Sequence, residues 1–563
     1  MSPENRATRR IWISAAALAI GAGLFVLSAC GGGGSSNNTT ATTSGGGGTT
    51  TTGPAKTGGS MKLNMSNTDV DFSDPSLAYG AQSWQLEYAT ALKLYDYPDK
   101  PAPQGSRLVP DGADGFPVIS SDGKTYTITV KKGFKFSDGA PVTAANYAYA
   151  INRGLNKKMQ SPAAQFITDI VGATDVIDGK ATKASGVQVD GDKLIIKLTQ
   201  PDGGMLAKLG TPFFQAIPTD MPIDPKGVLT YASAGPYYWA SRQVGRSIVL
   251  KKNTHYTGSR AQNVDEFNID VNTNVNQSLL QVKAGQVDYD LGGLPPTAQS
   301  QLGAEYGVNR SQYQVHPLVE TDYVALNTSR PLFSSVNMRK AANNAIDRPA
   351  MLRAFGAYGG LLTDQILPPG MGGYKRADVY PLHGPNIAVA KSLAGGKCGD
   401  LKLWASNSPT GTTQAQILQN NLQKMGCKVS IKYFQGFQIF VAAGRKGAEY
   451  DAVIAGWSQD YPDPYDFIDV LLNGNNIQAQ NNNNLAYLND PQLNAQLAAA
   501  NKLTGDERYN RYGNLDVMIT KNLAPWMSTD NRNQRDFVAK RVGGYLFQPA
   551  NGFADMTTFY LTQ

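Results

Sequence analysis

The feature that most restricts this chain is its beginning, which withdraws some sixty residues from any folded core and decides the compartment in which the rest must fold. Arg6, Arg9 and Arg10 form a basic head, Ile11 to Leu27 is an apolar run, and Leu27-Ser28-Ala29-Cys30 closes it with small residues. A basic head, an apolar core and a small-residue cleavage site are the marks of a secretory signal, here residues 1–29. The alternative is an uncleaved anchor, since the run is close to the ~20 residues that span a bilayer. Residues 30–60 are Gly, Ser, Thr and Asn with almost no apolar side chain. Such a stretch cannot bury enough surface to offset its ordering entropy, so it reads as a flexible tether.

No later segment is long and apolar enough to span a membrane, so the body from Met61 onward is expected to be soluble. At about 500 residues it is too long for one core and should divide into two or three lobes. The formal charge of +7 falls to about +5 once Arg6, Arg9, Arg10 and Glu4 leave with the signal. Basic and acidic residues are mixed along the chain, and no basic cluster interleaved with aromatics argues for nucleic acid. The three histidines, His255, His316 and His383, are too scattered for a metal site. Neither a Gly-x-Ser-x-Gly elbow nor a Walker-type phosphate loop is present. No metal, cofactor or catalytic centre is therefore expected.

Of the three cysteines, Cys398 precedes the strand-like Leu401-Lys402-Leu403-Trp404, and Cys427 precedes Val429-Ser430-Ile431-Lys432-Tyr433. Between them Thr413 to Met425 has helical spacing, with Ile417, Leu418, Leu422 and Met425 on one side. This is a βαβ unit whose parallel strands start side by side. It brings the two cysteines together as a disulfide, which export permits, or else as two buried thiols.

The stretch with most chemistry is Gly456-Trp457-Ser458-Gln459-Asp460-Tyr461-Pro462-Asp463-Pro464. It follows the apolar run Tyr450–Ala455, so a strand ends in an aromatic, a carboxylate and a Pro-punctuated turn at one rim of a sheet. Asp460 there suits an ammonium group as a charge-assisted acceptor, and Trp457 an apolar neighbour. On the plainer reading Trp457 is core and Asp460 caps a helix beginning near Asp466.

Several segments, in order, resemble the extracytoplasmic solute-binding proteins of ABC importers, specifically the large peptide-binding class, family 5. Asp122-Gly123-Lys124-Thr125-Tyr126-Thr127-Ile128-Thr129-Val130, running on through Phe136-Ser137-Asp138-Gly139 to Pro141-Val142-Thr143-Ala144, is similar to a family signature. It departs from that signature at Ile128, Lys131 and Asn146. Gly235-Pro236-Tyr237-Tyr238, the helix-like Val336 to Arg348, Leu367-Pro368-Pro369-Gly370-Met371 and the Trp457–Pro464 stretch match further family segments. Ser73-Asp74-Pro75 resembles a Leu-Asp-Pro motif with Ser73 in place of Leu.

The resemblance implies an α/β, periplasmic-binding-protein-like two-lobed fold (type II, cluster C) with an extra inserted domain and a ligand cleft between the lobes. Lobe I is expected from residues 61–85, 201–316 and 525–563, an inserted lobe II from 86–200, and lobe III from 317–524. Hinges fall near Val315–Asp322 and Ala524–Asp530. The resemblance further implies a non-enzymatic receptor for short peptides that hands them to an ABC permease. It would be a monomer, held at the outer face of a bacterial membrane by lipid on Cys30, since Leu-Ser-Ala-Cys resembles a lipobox. Asp460 matches the aspartate that receives the peptide's α-ammonium, with Trp457 and Tyr461 beside it. Asp69 matches an acidic position near the ligand backbone. Arg445, Lys446 and Arg376 are candidates for the far end of the ligand, with no motif to choose among them. The alternatives are a non-peptide solute (an oligosaccharide, a metal chelate or an opine) or a secreted hydrolase.

Overall fold

The computed structural model describes residues 55–562 apart from 397, 436, 437, 478 and 481. The expected signal, Cys30 and most of the tether lie outside them. The described residues include the end of the expected tether, and there Ala55–Lys56 pairs antiparallel with the C-terminal strand Tyr560–Thr562 and Gly59 N–H donates to Asp265.

Three sheets carry the fold. The first has five strands in the order Tyr289–Asp290, Ser60–Ser66, Glu266–Thr273, Ser247–Lys252, Tyr237–Gln243. Met61, Leu63 and Met65 alternate into its core, as the period of a half-covered strand requires. The second has four short strands, Val118–Ile119, Thr125–Thr129, Lys193–Lys197 and Val187–Asp190. They pack with the helix Ala144–Leu155, whose Tyr147 and Ile151 are fully buried. Asn146, one of the departures from the family signature, accepts from Thr143 N–H at the helix start. It therefore does the work of the usual acidic residue in a capping box.

The third sheet joins Tyr313–Pro317, Trp526–Phe537, Glu320–Leu326, Ala452–Ser458, Asp400–Ser406 and Lys428–Phe434, with Gly360–Leu362 also on Trp526–Phe537. Its faces alternate residue by residue. Tyr323, Ala325, Val453, Ala455 and Trp457 enter one core, while Val324, Leu326, Leu403 and Ala405 enter another. The βαβ unit is present, with Asp400–Ser406 and Lys428–Phe434 parallel and in register from Asp400–Lys428. Its helix is Pro409–Lys424, four residues longer at its start than the periodicity suggests, because Ser408 caps it and Pro409 opens it. Cys398 and Cys427 are joined by a disulfide, Cα to Cα 4.5 Å.

Two elements tie the cores together. Helix Ala81–Thr90 runs across the expected lobe boundary at residue 86. Its Leu86 and Ala89 pack in the first sheet's core, and its Trp84 and Tyr88 in the second's. The twelve-residue strand Trp526–Phe537 pairs with Glu320–Leu326 through its first half and with Tyr313–Pro317 through its second. It thus passes from the core holding Trp526 to the one holding Phe537. Arg348 donates to the carbonyl of Ser528 on this strand at 2.7 Å and, closer in the chain, to Asn343. Asp347 caps the short helix that follows it.

Candidate functional site

The strand Ala452–Ser458 delivers the Gly-Trp segment to the junction of the cores. Gly456 is required there by its neighbour: a Cβ would lie 2.3 Å from Asp322 Oδ1. Trp457 is buried in the third sheet's core, and its Nε1–H donates to Asp466 Oδ2 at 3.2 Å. Asp466 sits in the first turn of helix Tyr465–Leu472, where the helix dipole favours a carboxylate. The turn between is anchored by Asp463, which receives Arg508 through two hydrogen bonds of 2.8 and 2.9 Å.

With the turn held in this way, Asp460 is not needed as a helix cap. Its backbone N–H donates to Asp466 Oδ2 at 2.9 Å, and its own Oδ2 accepts from Tyr79 O–H at 2.6 Å. Tyr79 comes from the far side of the junction, 381 residues earlier. Its ring is fixed among Trp84, Phe166 and Phe213. The backbone before that ring is set by Asp71, which accepts from Tyr79 N–H and Gly80 N–H. Tyr461 inserts into the core of the four-stranded unit, edge-on to Phe166 at 6.0 Å. Asp460 and Tyr461 therefore connect units that the sequence keeps far apart.

The electrostatics follow from this burial. Desolvation raises the Asp460 carboxyl to about 7, against the hydrogen bonds from Tyr79 and Asp466. Burial and the Asp460 charge push Asp466 well above the usual carboxylate range. Burial and Asp460 likewise raise the Tyr79 phenol. Two carboxyls in contact thus hold a proton between them near neutral pH. Among the described residues no Lys, Arg or His forms an ion pair with either.

The other sequence candidates lie elsewhere. Asp69 accepts from Val70 N–H and Gly245 N–H, bracing the turn after Tyr237–Gln243. It is not brought to Asp460; Asp71, two residues on, is the acid that supports that junction through Tyr79. Arg376 pairs with the exposed Asp378 at 2.9 Å. Arg445 and Lys446 precede the strand Ala452–Ser458, at the opposite end from Trp457. The sequence reading also missed Tyr79 and Asp466. Asp466 was visible as a first-turn acid, whereas no local pattern marks Tyr79.

A second acidic group lies where the strands cross. Asp322 and Asp530 face each other across the pairing of Glu320–Leu326 with Trp526–Phe537. Arg532 Nε is 2.6 Å from Asp322 Oδ2, and its Nη2 donates to Glu320 Oε1. Glu320 Oε2 also accepts from Ser458 at 2.6 Å. Burial raises Asp530 to about 7 and Asp322 well above its ordinary value. No cluster of three or more His, Cys, Asp or Glu among the described residues could hold a metal ion, and no helix among them is long and apolar enough to cross a membrane.

Two α/β lobes joined by crossing strands, with a smaller unit beside them, define a periplasmic-binding-protein-like fold of the two-lobed type. The fold is shared with the clavulanic acid biosynthesis oligopeptide binding protein 2, at a TM-score of 0.83, 22% identity and coverage of 92% of this chain and 99% of that one. It is shared also with the periplasmic binding protein DppA of Helicobacter pylori in complex with peptide STSA, at a TM-score of 0.74, 19% identity and 90% and 99% coverage. The family model for bacterial extracellular solute-binding proteins, family 5, matches residues 107–479, and the chain belongs to that family. The chain is 24% identical to the probable D,D-dipeptide-binding periplasmic protein DdpA of Escherichia coli, over 84% of this chain and 89% of that protein. It is 25% identical to the oligopeptide-binding protein OppA of Bacillus subtilis, over 63% and 68%. The family is one of ABC-importer binding proteins rather than enzymes.

Proposed function

We propose that this protein captures short peptides in the cleft between lobe I (residues 61–85, 201–316, 525–563) and lobe III (317–524), with lobe II (86–200) alongside, and delivers them to an ABC permease. The observation that carries the reading is the Asp460–Asp466 pair, set at the junction of the lobes with hydroxyl and N–H donors but no basic partner among the described residues. A peptide's α-ammonium supplies the missing charge. On binding, it replaces the Tyr79 hydroxyl on Asp460 and drives out the shared proton. Trp457 acts by orienting Asp466, and Tyr461 by seating lobe III against lobe II. Closure of this kind converts occupancy into a shape that a partner reads. The peptide-binding relatives support the same guest. A lipid on Cys30, reached through the Gly/Ser/Thr stretch, would keep the receptor near its permease at the outer membrane face.

The test is native mass spectrometry of the protein purified without denaturation, with sequencing of what leaves it, followed by calorimetry with those peptides. A ladder of short peptides whose affinity is lost in Asp460→Ala is the expected result. A single sugar, chelate or opine would move the guest to another class, and peptides bound equally by Asp460→Ala would remove the role given to Asp460.

A further inference from the structure

The sheet that carries Trp457 is finished unequally on its two faces. Over its outer strands, Asp400–Ser406 and Lys428–Phe434, one face is covered by the sixteen-residue helix Pro409–Lys424. On the other, among the described residues, the short six-residue helix Gln438–Ala443 and the turn after it lie over the strands, leaving a hollow of about 630 Å³.

A strand face meant to be sealed by a helix carries apolar side chains. Here the neighbouring positions are Lys402 beside Ser430 and Trp404 beside Lys432, and the turn adds Arg445 and Lys446. Glu449 is the one acidic residue on the lining, and it is engaged by Lys402 at 3.1 Å. Among the described residues, Lys432, Arg445 and Lys446 have no carboxylate within ion-pairing distance. The Lys432 ammonium is not loose: it sits 5.1 Å over the Trp404 ring and 4.9 Å over that of Phe434. Such placement holds a cation against an aromatic wall.

We propose that this hollow is a second binding site, for a phosphate group. Three unpaired cations around one recess match a phosphate group, which near neutral pH carries nearly two negative charges and three free acceptor oxygens as a monoester, and one charge and two free oxygens as the diester of a phospholipid head. Arg445 is suited to a two-pronged grip, Lys432 and Lys446 to point-charge contacts. The aromatic wall accommodates whatever apolar part the phosphate bears. The site is separate from the peptide cleft: Glu449 lies before the start of the strand Ala452–Ser458 and Trp457 near its end, which puts roughly 16 Å of strand, from Ala452 to Trp457, between them. The phosphate group has two possible sources, a soluble phosphate compound or a phospholipid head.

The test uses the full chain and a Lys432→Gln/Arg445→Gln variant, titrated calorimetrically with inorganic phosphate at constant ionic strength, then with vesicles of phosphatidylcholine alone or mixed with phosphatidylglycerol. Saturable phosphate binding is expected, weakened about tenfold or more in the variant, as loss of two charge-assisted contacts requires. Peptide affinity should be unchanged, which shows that the variant is folded and its cleft intact. Phosphatidylglycerol-dependent binding that the variant loses would identify a lipid head as the source, and its absence a soluble phosphate. No saturable phosphate binding, or equal binding by the variant, overturns the proposal.

Discussion

Two carboxylate pairs lie close together at the junction of the lobes, and they are provided for differently. Asp322 and Asp530 oppose each other across paired strands with Arg532 and Glu320 beside them, so this part of the frame carries its own cation. Among the described residues, Asp460 and Asp466 receive only neutral donors: the Tyr79 hydroxyl, the Trp457 indole and a backbone N–H. Taking charge out of water is costly unless it is paired. A cluster that brings its own guanidinium is therefore read as part of the scaffold, and the one that does not is the cluster to which the proposed function assigns a cation from outside.

This contrast is broken most severely at Arg532. Arg532→Gln leaves Glu320 and Asp322 buried without a cation and should lower the unfolding free energy by about 3–5 kcal/mol in a denaturant titration. A variant as stable as the parent would show that these strand-paired acids are already neutral. Asp460→Ala should act in the opposite sense on the two readouts. Peptide affinity should fall by about 2–5 kcal/mol in calorimetry, while stability holds or rises because a desolvated carboxyl has gone. A parallel loss of stability would erase the distinction between the clusters.

Proton binding sharpens it further. The Asp460 carboxyl stands at about 7 in the folded protein, above the ~3.9 of a free aspartate, so the folded state holds the proton more tightly than the unfolded chain. The resulting stability is fully present below pH ~4 and is lost as the pH rises through about 7. Asp530, also at about 7, contributes in the same direction. Peptide affinity separates them. An ammonium requires the ionised Asp460, so affinity should fall by up to about tenfold per pH unit below 7, and Asp460→Asn should flatten that profile while the stability profile keeps the Asp530 component. The smallest effect belongs to Tyr79→Phe, which deletes the 2.6 Å contact between lobes. It should shift the peptide-free protein toward an open form by about 1–2 kcal/mol, seen as a larger radius of gyration in small-angle scattering. An unchanged radius would mean that other contacts hold the lobes together.

Much of the frame was legible in the residues. The βαβ unit around Cys398 and Cys427 lies where its periodicity puts it. Boundaries were less legible. Helix Ala81–Thr90 was divided at Leu86 because the inserted lobe was expected to start there, whereas a helix apolar on two faces can serve two cores at once.

From the sequence alone come most of the elements, the resemblance to the family and the candidate carboxylate Asp460, since periodicity, turn chemistry and ordered motifs all arise from residues near one another in the chain. Only the tertiary structure decided what surrounds that carboxylate. Whether an aspartate caps a helix, pairs with an arginine or waits beside a tyrosine depends on which distant segment the packing of separate cores brings to it. In this protein Arg508 and Asp463 secure the turn, leaving Asp460 to meet Tyr79 across the junction.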